Sequence, residues 1–243
     1  MNKQNKKITY ALAVYSDKEI EYVNNVLKDA KILVNGNYTH LFEEHVAKLF
    51  GKEYGVMTNS GSSANLLSIE LLNLPKGSEV ITPIVTFSTT VAPIIQKGLI
   101  PTFIDVELGS YLVNISQVEE SITEKTKALM IPSLLGNIPD YIKLRKLAND
   151  NGLYLIEDSC DTLGATINNM PTGKFTDIST TSFYASHIIT ACGGGGMLCV
   201  NKEDWYTRAK VLRGWGRSSA IDESEDLNKR FSTKIEDVIY DSK

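Results

Sequence analysis

Apolar and polar positions along this chain follow two rhythms, one of helical spacing and one of short unbroken runs. In residues 16–29, Ile20, Val23 and Leu27 recur on one helical face, and Ser16 precedes Glu19 by the spacing of a capping box. Residues 39–50 repeat that spacing and stop at Gly51, a residue suited to the left-handed turn that ends helices. Beyond it, short apolar runs at 54–58, 79–85, 101–106, 127–132 and 152–157 predict buried strands, with helices at 62–73, 87–96, 115–122 and 140–150 between them. Strands at 177–184 and 195–200 and a helix at 202–213 complete the pattern. Strands separated by helices predict an α/β fold, a mostly parallel sheet sandwiched by helices. From residue 218 the sequence is charged and poor in apolar side chains, so it reads as a tail.

Composition removes several function classes. The 243 residues carry 25 basic and 29 acidic side chains without a long basic run, which gives no support to nucleic-acid binding. The basic start of the chain leads into no apolar h-region, so no signal peptide is expected. No apolar run approaches the roughly 20 residues that span a bilayer, so no membrane association is expected either. Cys160, Cys192 and Cys199 are odd in number and widely spaced. They suggest neither a disulfide framework nor a metal site, and a reducing cytoplasm is the natural compartment.

In open α/β sheets, ligands sit beyond the carboxyl ends of the strands, so candidate chemistry belongs at the strand-to-helix junctions. At the first junction, Asn59-Ser60-Gly61-Ser62-Ser63 turns a strand into a helix; its unpaired N–H groups and hydroxyls suit an anion, although a plain capped turn would read the same. At the second, Phe87 stands where an aromatic ring can lie on a planar ligand or simply join the core. At the third, Glu157, Asp158 and Asp161 end an apolar strand, and buried acids there need a partner such as a protonated pyridine nitrogen. At the fourth, Ser182-Phe183-Tyr184 leads to His187 and then to Gly193–Gly196. No Lys-Ser/Thr follows these glycines, so they do not form a nucleotide loop; they let the backbone turn closely beside a ligand.

In their order and spacing, these segments resemble the DegT/DnrJ/EryC1/StrS sugar aminotransferase family of pyridoxal-phosphate enzymes, with the aspartate-aminotransferase type of fold. The resemblance rests on Gly36 with Phe42-Glu43-Glu44, SGSSAN at 60–65, TFSTT at 86–90, FIDVE at 103–107, IEDSCDTLGA at 156–165 and SFYASHIITACGGGGM at 182–197. It implies that Gly61, Ser62 and Ser182 bind the cofactor phosphate, that Phe87 stacks on the pyridine ring and that Asp158 pairs with the ring nitrogen. It also implies a cofactor-binding large domain over 1–217, a tail at 218–243 leading toward a smaller C-terminal domain that lies beyond this chain, and a homodimer in the full-length form.

Two departures from the aminotransferase pattern are informative. Where aminotransferases carry a lysine that forms an imine with the cofactor, this chain has His187; where they carry glutamine near the ring oxygen, it has Asp161. Both resemble the deoxysugar 3-dehydratase branch, as does LLGN at 134–137. That branch acts on nucleotide-linked 4-keto-6-deoxyhexoses in the making of cell-surface polysaccharide and lipopolysaccharide sugars. The implied chemistry joins the amine of pyridoxamine phosphate, held non-covalently, to the sugar's C4 ketone, removes a proton at the cofactor's C4′ and expels the C3 hydroxyl. A histidine suits both proton transfers, because its unperturbed pKa of about 6.5 lies near neutrality. An amino acid would restore the amine. Some members of the branch carry an iron–sulfur cluster, with cysteines after a WGR-like segment; here Trp215-Gly216-Arg217 is followed by Ser218 and Ser219, so none is expected. The alternatives are a nucleotide-sugar aminotransferase and a non-catalytic truncated homologue. The stretch from Arg213 to Arg217 reads as a solvated surface, with contact to a diphosphate as the alternative.

Overall fold

The computed structural model describes residues 12–29 and 33–221. Two helices come first, α1 (Asp17–Asp29) and α2 (Asn37–Leu49). Strands and helices then alternate: β1 (Tyr54–Thr58), α3 (Gly61–Leu72), β2 (Glu79–Pro83), α4 (Ser88–Gln96), β3 (Ile100–Ile104), α5 (Ile115–Glu120), β4 (Thr126–Pro132), α6 (Tyr141–Asp150) and β5 (Tyr154–Asp158). A two-residue ladder of β6 (Thr166–Ile167) and β7 (Met170–Pro171) precedes β8 (Ile178–Ser182), β9 (Gly196–Val200) and α7 (Glu203–Arg213).

Seven strands form one sheet in the order β1-β9-β8-β5-β4-β2-β3. Strands β3, β2, β4, β5 and β8 are successively parallel, while β9 runs antiparallel to both of its neighbours, β8 and β1. The alternation of side chains along each strand feeds two cores. On β4, Ala128 and Met130 pack with Ile69 of α3, Ile94 of α4 and Trp205 of α7. Leu129 and Ile131 point the other way, toward Val118 of α5 and Tyr141 and Leu144 of α6. Burial on both faces is why the central strands read as unbroken apolar runs. A third cluster joins Val46, Ala47 and Phe50 at α2 to Phe183 and to Met197 and Cys199 of β9.

Local signals set the helix ends. Ser60, Asn114 and Asp140 each accept a backbone N–H three residues on, from Ser63, Gln117 and Lys143, and so start α3, α5 and α6. Gly51, at φ 64°, turns the chain after α2. The Ser16–Glu19 box forms in part, with Glu19 reaching back to the Ser16 N–H at 2.6 Å.

Several expectations need correction. The strands expected at 79–85 and 101–106 end earlier, at Pro83 and Ile104, because the chain turns toward the helices before the apolar run is spent. The stripe of Ile20, Val23 and Leu27 is exposed, not buried against this chain. The β6–β7 hairpin was not expected; Asn168 and Asn169 both hold positive φ, as a two-residue type I′ turn requires. Arg213 is not on a solvated surface. It sits at the edge strand β1, where Glu43 accepts the Met57 N–H at 2.8 Å and Arg213 donates to Glu43 at 2.6 Å and to the Met57 carbonyl at 3.2 Å. The pair thus caps an otherwise unpaired strand edge. Of the tail, only residues 218–221 are described, and they begin with a short 3-10 turn at Ser218–Ala220; the rest of the tail and the first eleven residues lie outside the described residues.

Two buried charges share the face opposite the candidate site. Glu157 is fully buried and accepts hydrogen bonds from Thr176, at 3.1 Å, and from Ser179 and Ser159. Lys52, 4% exposed, donates to the carbonyls of Thr176 and Asp177. Burial disfavours both charges: it raises the carboxyl of Glu157 and lowers Lys52 to about 8, with the mutual attraction of the two a smaller, opposing effect.

The fold makes two predictions. Removing Arg213 strands the Glu43 carboxylate, so Arg213→Ala is expected to cost about 3 kcal/mol in urea unfolding, and adding Glu43→Gln is expected to restore part of it. Lys52 is protonated in both states below pH 8, so the folded state carries the full penalty there. Between about pH 8 and 10.5 the unfolded chain holds more protons, and the penalty fades as pH rises. The stability of the wild-type protein relative to Lys52→Met is therefore expected to rise from pH 7.5 to 10, which urea midpoints at the two pH values will show.

Candidate active site

The carboxyl ends of β1, β2, β5 and β8 converge, and the strand-to-helix junctions anticipated from the sequence lie there. At the first, Ser60 is extended, its side chain accepts the Ser63 N–H and its carbonyl accepts the Ala64 N–H. The N–H groups of Gly61 and Ser62 are left as the first donors of α3, at the positive end of its dipole. The packing around this turn is close. A Cβ on Gly61 would lie 2.6 Å from Cys160 Sγ and 2.7 Å from Ser182 Cβ. A Cβ on Gly196 would lie 2.3 Å from the Ser60 carbonyl. Glycine at these two positions therefore lets the turn nest against the ends of β5, β8 and β9. Gly61 and Ser182 meet here as expected, and Ser62 donates to Thr89 Oγ1 at 3.0 Å, tying α3 to α4.

Asp158 ends β5 at 5% exposure. Its Oδ2 accepts from Asn65 Nδ2 and from Thr90 Oγ1, both at 2.8 Å. Its Oδ1 accepts the Cys160 N–H at 3.2 Å. These three donors hold the carboxylate, with the Cys160 thiol beside it, and Oδ1 takes fewer of them than Oδ2. Burial, the Asp158 charge and the Asp158 hydrogen bond together push the Cys160 thiol well above its ordinary range, so this sulfur is an inert filler.

The remaining expected residues stand apart from this cluster. Phe87 is the N-cap residue of α4 and is 69% exposed, so its ring has joined no core. Asp161 is exposed and accepts the Leu135 N–H at 2.9 Å, which pins a 3-10 turn, Leu134–Gly136, whose Leu135 is itself left-handed at φ 55°. His187 lies on the loop leaving β8, where its backbone N–H closes a turn on the Tyr184 carbonyl at 2.9 Å. The Tyr184 ring meets its imidazole edge-on at 5.8 Å, and Nδ1 is buried with no hydrogen-bond partner. A buried, unpaired ring nitrogen is costly in a folded chain and is usually explained by function or by a missing partner.

The sequence reading did not single out Asn65, Thr90 or Thr180; the first two lie inside motifs it quoted, and Thr180 lies just before one. Nothing in a sequence distinguishes the one threonine in TFSTT that reaches a carboxylate on another strand. Among the described residues no group of three or more His, Cys, Asp or Glu side chains is placed to hold a metal ion, and no helix is long and apolar enough to cross a membrane.

The geometry has close counterparts. The chain is 38% identical over 213 residues to a dTDP-4-dehydro-2,6-dideoxy-D-glucose 3-dehydratase of Saccharopolyspora spinosa, covering 84% of this chain and 46% of that protein. It is 37% identical over 222 residues to a GDP-4-keto-6-deoxy-D-mannose 3-dehydratase of Escherichia coli O55:H7, covering 87% and 56%. A solved structure of an E. coli GDP-4-keto-6-deoxy-D-mannose-3-dehydratase with bound hydrated PLP superposes with a TM-score of 0.81 at 36% identity, over 87% of this chain and 56% of that one. The chain thus spans about half the length of the curated relatives it matches. The model of the DegT/DnrJ/EryC1/StrS aminotransferase family matches residues 14–238, and with the mostly parallel sheet and its junctions it shows that the chain belongs to that family.

Proposed function

We propose that this chain is the cofactor-binding part of a pyridoxamine/pyridoxal phosphate-dependent enzyme that removes the C3 hydroxyl of a nucleotide-linked 4-keto-6-deoxyhexose. The observation that carries this reading is His187, an imidazole with a buried, unpaired Nδ1 on the loop where an aminotransferase has its imine-forming lysine. The names of the relatives support it, since both curated proteins described above are 3-dehydratases of nucleotide-linked ketosugars.

The residues fit the cofactor. The two N–H groups of the α3 N-terminus suit a phosphate, and Gly61 brings them close to the Ser182 side chain. Asp158 retains acceptor capacity for a protonated ring nitrogen. Phe87, exposed at the start of α4, is available to lie on the ring. Asp161 accepts the Leu135 N–H on Oδ2, and its other carboxyl oxygen would approach the ring oxygen by sharing a proton with it. The bound cofactor supplies an electron sink conjugated to the sugar's C4. His187 takes a proton from the carbon beside the ring and returns one to the departing C3 hydroxyl. An imidazole moves protons in both directions near neutral pH, and it leaves the cofactor free of a covalent tether. An amino acid donor and, in the full-length protein, a second subunit complete the reading.

Four outcomes test this function. Pyridoxal phosphate is expected to bind and then wash out after borohydride treatment and dialysis, whereas His187→Lys is expected to retain a reduced adduct; an adduct on the wild-type protein would favour the aminotransferase instead. With a nucleotide-linked 4-ketosugar, pyridoxal phosphate and an amino donor, mass spectrometry should show loss of the C3 oxygen, and net amino transfer would overturn the dehydratase reading. His187→Asn is expected to slow this turnover roughly 10²–10⁴-fold without loss of cofactor binding. Gly61→Ala, whose Cβ collides with Cys160 and Ser182, is expected to abolish pyridoxal phosphate binding in an absorbance titration.

A further inference from the structure

The Asp158 carboxylate stands at the end of two hydrogen-bond relays that meet on one oxygen. Thr90 donates to Oδ2 and accepts in turn from Thr86 Oγ1 at 2.9 Å. Asn65 donates to the same Oδ2, and its own Oδ1 accepts from Thr180 Oγ1 at 2.6 Å. Asn65 is 1% exposed, Thr90 1% and Thr180 0%, so no water competes.

The direction of the Asn65 amide is over-determined. Its second N–H donates to the Thr89 carbonyl at 3.3 Å. That carbonyl has no helical donor, because the residue four positions on is Pro93, which lacks an N–H. A flipped amide would set its oxygen against both the Thr89 carbonyl and the Asp158 carboxylate, and would leave the Thr180 proton only the longer contact to the Glu157 carbonyl at 3.3 Å. With Oδ2 carrying the Asn65 and Thr90 side-chain donors and Oδ1 the Cys160 N–H, the two oxygens are not equivalent.

We propose that Asn65 is a positioning residue, oriented by Thr180 and by the proline-freed carbonyl of Thr89, that commits Oδ2 of Asp158 and thereby presents Oδ1 to the cofactor's ring nitrogen. The proposal rests on the cofactor reading given above. It assigns a role to a residue that touches neither the phosphate nor the ring, and it explains why a proline sits inside α4.

The experiment is a pyridoxal phosphate titration of the wild-type protein and of Asn65→Ala, Thr180→Val and Asp158→Asn. Affinity and the pH dependence of the bound absorption band are read together, and thermal midpoints without cofactor report on folding. Asn65→Ala is expected to lose about tenfold in affinity, as the loss of a hydrogen bond to a charged group implies. Its band should shift in the same direction as that of Asp158→Asn. Thr180→Val removes only a hydroxyl from an isosteric side chain and is expected to show a smaller shift of the same sign. If Asp158→Asn changes the band while both Asn65→Ala and Thr180→Val keep the wild-type band and affinity, with or without a lower midpoint, the positioning role is overturned and the cofactor reading survives. If Asp158→Asn is itself indistinguishable from wild type, or the wild-type protein binds no cofactor, the cofactor reading falls and the proposal with it.

Discussion

The close seating of one turn, Ser60-Gly61, against the ends of three strands is the constraint on which this structure depends. No side chain fits at Gly61 or at Gly196, because the first would collide with Cys160 and Ser182 and the second with the Ser60 backbone. The absence of two Cβ atoms lets the N-terminus of α3 approach β5, β8 and β9 together. That approach places helix donors, the Ser182 hydroxyl and the Asp158 carboxylate at one end of the sheet. Insertion of β9 antiparallel between β1 and β8 also depends on it, since β9 begins at Gly196 itself.

Two adjacent acids on β5 show how strand alternation separates structure from chemistry. Glu157 faces the side of Thr176 and Ser179, with Lys52 close by, where it is sealed from water. Asp158 faces the other side, held on Oδ2 by side chains from α3 and α4 and on Oδ1 by the Cys160 N–H. A one-residue slip of the strand would exchange the two environments. The register of β5 against β4 and β8 thus decides which acid is structural and which is offered to a ligand.

His187 stands on a loop outside this frame. The loop that carries His187 leaves β8 after Ser182, and its hydrogen bonds are local ones, between its own backbone and that of Tyr184 and between Ala191 and Phe183. A residue on such a loop can differ while the α3 N-terminus and the Asp158 hydrogen bonds stay built into the sheet and helices. This division fits a family whose named members include both dehydratases and aminotransferases.

The sequence by itself determined the order of strands and helices, the mostly parallel sheet and the junctions where ligands bind, because apolar periodicity and small turn residues are local signals. Gly61, Ser62, Asp158, Ser182 and His187 could be proposed from sequence because each sits inside a short motif near a strand end. What only the tertiary structure decided depends on contacts between distant segments. Asn65 and Thr90 are ordinary polar residues until α3 and α4 bring them to one carboxylate, and Thr180 until β8 sets it against Asn65. Arg213 reads as a surface charge until α7 lays it along the β1 edge beside Glu43. The stripe on α1 has helical spacing whether or not a surface covers it, so its exposure is invisible to periodicity. Spacing records what a segment can form, and only packing records what that segment meets.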